Sequence, residues 1–331
     1  MKKRNIGLQD IVPFAAFVVI FAFFEITSQG RMLSPFSLNM MLDQSVMTII
    51  SGCGVLFVVA MGSIDLSVGV NLALSGVIAT WAANAFGGPL LIPVALLVGL
   101  IIGLFNGVVV AKFKVPSFMQ SIAMLIGVRG IVNFIQTNIG TQYIPDSMRI
   151  FSQPYIRYPA FLVIVAVMWY VFEYTRVGKY CKAIGENETT AEFVGVPVTL
   201  MKIIAFGLSG LMAGFAALFS LTSVGGTSQQ MGVFFEMKVA MAVFLGGVLV
   251  TGGNSAKLYK VLLGSFSITI IVNGLALIGL SETQYSQSFQ GLLLLLILGI
   301  TILASHKRRK AHIALPDEPE DELLPEQMAG K

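Results

Sequence analysis

The 331-residue chain reads as an all-α integral membrane protein of about ten transmembrane helices, with both termini cytoplasmic. Three observations carry that reading. Hydrophobic residues make up 56% of the chain and charged residues 11%, with a mean hydropathy of +0.84, whereas a soluble domain carries roughly a quarter charged residues. Apolar runs recur along nearly the whole length, many of them near the ~20 residues needed to cross ~30 Å of hydrocarbon. They are uniformly apolar, which suits helices that satisfy their own backbone hydrogen bonds in lipid and not the alternating strands of a barrel. Finally, with both ends inside, 16 of the 21 Lys and Arg residues fall on the cytoplasmic side, the excess that short inner loops carry.

The ten runs are residues 11–24, 46–61, 66–85, 90–111, 118–137, 161–174, 203–221, 234–250, 261–280 and 289–304. The first follows MKKRN like a secretory signal. FFEITSQG beyond it offers no small-x-small cleavage site, so it is expected to remain as a span. Between the second and third runs, GSIDLSVG places Asp65 where its carboxylate would cap the next helix with Ser67 and the neighbouring amides. That arrangement fits a break between half-helices beside a pathway, and equally a plain cap at the membrane boundary. A proton relay is disfavoured, because no neighbouring motif supplies a second acid.

Gly225, Gly226, Gly232, Gly246, Gly247, Gly252 and Gly253 bracket the short run 234–250, where a continuous spanning helix would rarely be so interrupted. Such segments line pathways or let helices approach closely. Polar residues also stand inside apolar runs: Asn71, Ser75, Asn106, Asn133, Gln136, Thr269 and Asn273. Each must bond to another helix or to water in a cavity, since burial without a partner costs several kcal/mol on alkane scales. Arg129 is expected to pair or snorkel. Asp65, Ser67, Asn71, Ser75, Asn106 and Asn273 are the candidate pathway or gate residues.

One long loop breaks the apolar pattern, TRVGKYCKAIGENETTAEFVGVPV, and the charge bias puts it in the cytoplasm. Gly185 is expected to break the approach and Asn187 to cap a helix. Glu186 and Glu188 favour its first turn, and Gly195 closes it before Pro197. The result is a self-capped helix of about two turns, too short to stand alone in water. It is either an ordinary solvated connection or a lever for a soluble partner.

What is missing narrows the function. There is no G-x-x-x-x-G-K-[ST] phosphate loop, and GGNSAK lacks its spacing, so ATP hydrolysis by this chain is not expected. His306 and His312 have no metal spacing, and no nucleophile, base and orienting acid assemble in order. Cys53 and Cys181 make no disulfide or metal pattern. The net charge of +4 needs anionic lipid, not nucleic acid. The tail 306–331, with PDEPEDELLPEQMAGK, is acidic and proline-rich and is expected to be disordered, leaving residues 1–305 as one transmembrane domain.

Four segments resemble, in the same order, the permease subunits of sugar-type ATP-binding-cassette importers, the family of the ribose permease. They are MGSIDLSVGVNLALSG, FNGVVVAKFKVPSF, GKYCKAIGENETTAEFVGVPVTLMKIIAFGLSGLMAG and GGTSQQMGVFFEMKVAMAVFLGGVLVTGG. The likeness spans residues 52–298. It implies a type II importer bundle in a bacterial inner membrane, with a coupling loop at 175–200 whose Gly185, Glu186, Asn187, Glu188, Thr189, Thr190, Ala191, Glu192 and Gly195 meet a cytoplasmic ATPase. That partner would bind the ATP and Mg²⁺. The resemblance further implies a second permease copy or paralogue, an extracytoplasmic binding protein, and a monosaccharide or similar polyol as cargo. Glu236-Met237-Lys238 and Val248-Leu249-Val250 depart from the family's pattern and bear on the substrate. The alternatives are a nucleoside or branched-chain amino-acid permease of the same class, or an ion-gradient-driven secondary transporter.

Overall fold

The computed structural model describes residues 8–280 together with Ser288, Gly291, Leu292, Leu295, Leu296 and Gly299. Eleven helices follow in chain order among residues 8–280: α1 (Leu8–Thr27), α2 (Pro35–Ala60), α3 (Val68–Phe86), α4 (Leu91–Lys112), α5 (Ser117–Ile139), α6 (Pro154–Tyr174), α7 (Arg176–Glu186), α8 (Glu188–Phe193), α9 (Val198–Val224), α10 (Phe235–Leu245) and α11 (Leu258–Leu277). No strand occurs among the described residues. A single β-bridge, Tyr143 to Gly226, ties two outer loops.

Seven segments are long and apolar enough to cross a membrane: α2, α3, Gly88–Lys112, which takes in α4, then α5, α6, α9 and α11. α1 adds a shorter apolar stretch, Pro13–Thr27. The run expected at 289–304 lies largely outside the described residues, and the tail 306–331 lies wholly outside them. The run 234–250 forms only α10. Its eleven residues rise about 16 Å at 1.5 Å each, half the hydrocarbon thickness. Phe234 starts it in the left-handed region at φ 57°, and Gly246 and Gly247 turn the chain at its end.

Helix α9 is the centre of the bundle, packed along α4, α2 and α3. Small residues permit that approach. Gly99, Gly103 and Gly107 recur every fourth residue on α4; Gly99 and Gly103 face Gly210 and Gly214 of α9 and Gly107 faces Ile203, so that a Cβ at Gly103 or Gly210 would collide with the other helix's backbone. This is small-xxx-small packing on both partners. A second cluster joins α1, α10 and α11 through Phe24, Met241, Ile268 and Ile271. α5 and α6 lie at the periphery, with only 17% of each hydrophobic window buried against 78% for α2 and α3.

Candidate functional site

Two interruptions of the membrane helices meet inside the bundle. α2 ends at Ala60, Gly62 beyond it takes φ 71°, and the chain runs without helix to Ser67 before α3 begins. There Asp65 is 5% exposed. Its Oδ1 accepts from the Ser67 amide at 2.9 Å and the Ser67 hydroxyl at 2.6 Å, and its Oδ2 accepts from Ser209 Oγ of α9 at 2.7 Å. Ser67 Oγ in turn accepts from Asn106 Nδ2 of α4 at 2.8 Å, and Asn106 Oδ1 from Gln120 Nε2 of α5 at 3.2 Å. Asp65, Ser67 and Asn106 are thus brought together in one network that pins the break to three helices, and both carboxylate oxygens are in use.

Asn71 and Ser75 lie about one and two turns into α3 and form a separate pair. Asn71 Nδ2 donates to the Gly99 carbonyl of α4 at 3.1 Å and its Oδ1 accepts from Ser75 Oγ at 3.2 Å. Asn273 stands apart on α11, with Nδ2 donating to Gln44 Oε1 of α2 at 3.1 Å and to the Thr269 carbonyl at 2.9 Å.

The second interruption runs from Gly225 to Phe234. It brings Gly232 and Glu236, at the start of α10, against Gly69 in the first turn of α3, with no room for a Cβ at Gly69. Glu236 is 6% exposed and its Oε2 has no hydrogen-bond partner among the described residues. Arg129 of α5 interacts electrostatically with it and donates from Nη1 to the Met231 carbonyl at 2.9 Å.

On the cytoplasmic side the expected helix is α8, capped by Asn187 Oδ1, which accepts from the Thr190 amide at 2.9 Å. It ends in a Schellman closure: the Gly195 amide donates to Glu192 O at 2.9 Å and the Val196 amide to Ala191 O at 3.0 Å, with Gly195 at φ 86°, as this motif requires. Ala191 is buried, while Thr189, Thr190 and Glu192 are exposed. Two features differ from expectation. The approach is itself a helix, α7, whose hydrophobic Cys181 and Ile184 are buried. Gly185 does not break it; it sits in the last turn, where a Cβ would strike the Ala60 carbonyl and the Gly253 amide, so close packing is its role.

Three acids at this elbow, Glu173, Glu186 and Glu188, have partners. Glu186 turns inward, its Oε1 accepting from the Asn254 amide at 2.7 Å, in the short 3-10 turn Gly253–Ser255 beyond α10. Glu188 pairs with Lys202 of α9 at 2.7 Å. Glu173 of α6 pairs with Lys182 of α7 at 2.7 Å, the ammonium lying 4.5 Å from the Phe172 ring centre. At the tip, Phe193 is 87% and Val194 74% exposed.

Comparison with known proteins decides the family. The family described as "Branched-chain amino acid transport system / permease component" matches residues 37–298. The chain belongs to that family. Among curated relatives, a ribose import permease protein of Haemophilus influenzae is 30% identical over 86% of this chain and 90% of its own length. A fructose import permease protein of Rhizobium meliloti is 28% identical over 87% and 84%. An autoinducer 2 import system permease protein of Photorhabdus luminescens is 29% identical over 83% and 88%. No solved structure matches significantly. The chain is therefore the permease component of a transport system, a multi-pass inner-membrane protein.

Ser209, Gln120, Gln44, Phe193 and Val194 of this permease went unremarked in the sequence. The three-turn amphipathicity of α7 and the glycine repeats at 99, 103, 107 and at 210, 214 are signals that were available; the pairing of Asp65 with Ser209, 144 residues apart, left none.

Proposed function

We propose that this permease carries a monosaccharide, a pentose or hexose, or a similar polyol inward, powered by ATP hydrolysed on a separate cytoplasmic ATPase chain. That chain binds the ATP and Mg²⁺, and the permease needs no cofactor. An extracytoplasmic binding protein delivers the cargo, and a second permease copy or a paralogue completes the pore. Residues 1–305 then form one transmembrane domain with its coupling loop at 175–200. The ribose and fructose import named for two relatives supports the substrate class.

The observation that carries the coupling is the elbow. Phe193 and Val194 offer a desolvatable apolar tip, the kind of anchor that supplies most of an interface's binding energy. Behind the tip nothing is loose. Asn187 and Gly195 lock both ends of α8, Gly185 seats α7 on the end of α2, and Glu186 grips the turn that follows α10. A push on α8 by a closing ATPase reaches α10 through Glu186 and Asn254, and the far end of α10 rests on the first turn of α3, where the two interruptions meet.

Reconstitution into liposomes with the ATPase and binding protein tests the proposal. Ribose should accumulate when ATP is supplied on the ATPase side with all ion gradients collapsed. Ala191→Asp or Gly195→Val should abolish that uptake while membrane insertion stays normal. Uphill transport without nucleotide, or accumulation of leucine and no sugar, would overturn it.

A further inference from the structure

A cavity of about 360 Å³ opens on the exposed face of α5, lined by Arg129, Asn133 and Thr137 from α5 and by Gln229, Gln230 and Val233 from the interruption before α10. Its volume falls in the ~300–1,000 Å³ range of small-molecule sites. The lining is unusual for its depth. Asn133 and Thr137 lie in the outer half of a membrane-crossing helix, and both are exposed on this chain, as are Gln229 and Gln230. Hydrocarbon cannot cover amides and hydroxyls that need partners, so the cavity faces the pore that the second permease copy completes and holds water or a polar ligand there.

The chemistry of the lining specifies that ligand. Three carboxamides each present a donor and an acceptor, and Thr137 presents a hydroxyl that is both. The one formal charge is already engaged: Arg129 spends Nη1 on the Met231 carbonyl and faces the Glu236 carboxylate. An anionic or zwitterionic cargo would have to compete with Glu236, while a neutral polyol asks only for exchangeable hydrogen bonds. We infer that this cavity is a binding site for a neutral polyhydroxylated ligand, a sugar, on the outer side of the meeting point of α3 and α10. The site sits where the cargo would wait, since its inner wall is the segment that α10 draws on. The inference rests on the sugar-import reading above and gives that reading its residues.

The experiment uses the assembled transporter in liposomes with radiolabelled ribose. Asn133→Leu and Gln230→Leu should each lower the initial rate of uptake at least tenfold, and Asn133→Gln and Gln230→Asn, which keep the amide, should recover most of it. A direct readout accompanies the rates. Cys53 and Cys181 are both buried, and burial pushes the Cys181 thiol up to about 12, so it carries almost no thiolate at neutral pH. A Thr137→Cys variant should therefore be labelled by a membrane-impermeant maleimide, and ribose-loaded binding protein should slow that labelling at least fivefold during ATP turnover, with leucine giving no protection. Leucine variants that carry ribose within twofold of the parent rate, or labelling indifferent to ribose, overturn this site alone. A parent transporter that takes up leucine and no ribose overturns the import reading and the site together.

Discussion

The interruption before α3 and the interruption before α10 bring two helix starts against each other, yet their polar groups are held differently. Asp65 satisfies both oxygens with three donors, and the chain of bonds continues through Ser67 and Asn106 to Gln120. At the start of α10, Glu236 keeps one buried oxygen without a partner among the described residues, and Phe234 sits at φ 57°, which costs a non-glycine residue about 1–2 kcal/mol. α10 instead packs through apolar side chains along α11, and its polar ties lie mainly near its ends, Arg129 on the Met231 carbonyl and Glu186 on the Asn254 amide, with Lys238 reaching Gln44 only at 3.4 Å. The difference separates a fixed wall from a strut. α3 is fastened to the helices around it by buried polar bonds, whereas α10 lies against α11 through apolar contacts and has its polar ties at its two ends, where movement from outside the membrane plane can act.

The largest expected effect breaks the wall. Asp65→Ala leaves the Ser209 hydroxyl and the Ser67 amide buried without an acceptor. Hydrogen bonds to a charged group are worth about 1.5–3 kcal/mol each in soluble proteins, less between membrane helices, so a loss of about 3 kcal/mol is expected. Heat-induced aggregation in detergent should report it as the least stable of these variants. If Asp65→Ala melts like the parent, the network does not hold the break and the comparison fails.

Next comes the inner tie of the strut. Glu186→Ala removes one charge-assisted hydrogen bond at a partly solvated site, about 1–2 kcal/mol of stability, yet it should cost transport far more than that. Ribose uptake per ATP hydrolysed is expected to fall at least tenfold, because the elbow can then move without carrying the Gly253–Ser255 turn with it. Unchanged coupling would show that force enters by another route. At the other end, Glu236→Gln should leave stability within about 1 kcal/mol, since neutralising an unpartnered buried oxygen relieves its desolvation while forfeiting attraction to Arg129. A stability loss as large as that of Asp65→Ala would make the two interruptions equivalent.

How far the sequence made this legible depends on the range of the physics. Helix content followed from uniform apolar runs, and the α8 cap from Asn187 and Gly195, because both are local signals. The break at Asp65 was readable because capping is a contact between near neighbours. Its partner Ser209 was not, since nothing in a hydroxyl on α9 distinguishes it from any other polar residue in a span. α10 reads as the eighth of ten crossings because composition does not register where the backbone turns; its flanking glycines mark the interruption without fixing its length. Gly185 illustrates the same limit: a glycine reads as a break unless the neighbour that forbids its Cβ, here the end of α2, is known.

The smallest effect sharpens the contrast within the elbow itself. Glu186 and Glu188 are two residues apart and look interchangeable as first-turn acids, but they do different work. Glu188 is half exposed and meets Lys202 across water-accessible surface. Such pairs contribute about 0–1 kcal/mol, and the benefit of a negative charge at the start of α8 is about 0.3–1 kcal/mol before salt screens it. Glu188→Ala should therefore lower stability by no more than about 1 kcal/mol, an effect that shrinks further at high salt, and should leave ribose uptake within twofold of the parent. The cap at Asn187 and the buried Ala191 still hold α8 in place without it. A coupling defect in Glu188→Ala as deep as that of Glu186→Ala would mean that the acids act through the charge of the loop, and that the geometry of the Asn254 contact is incidental.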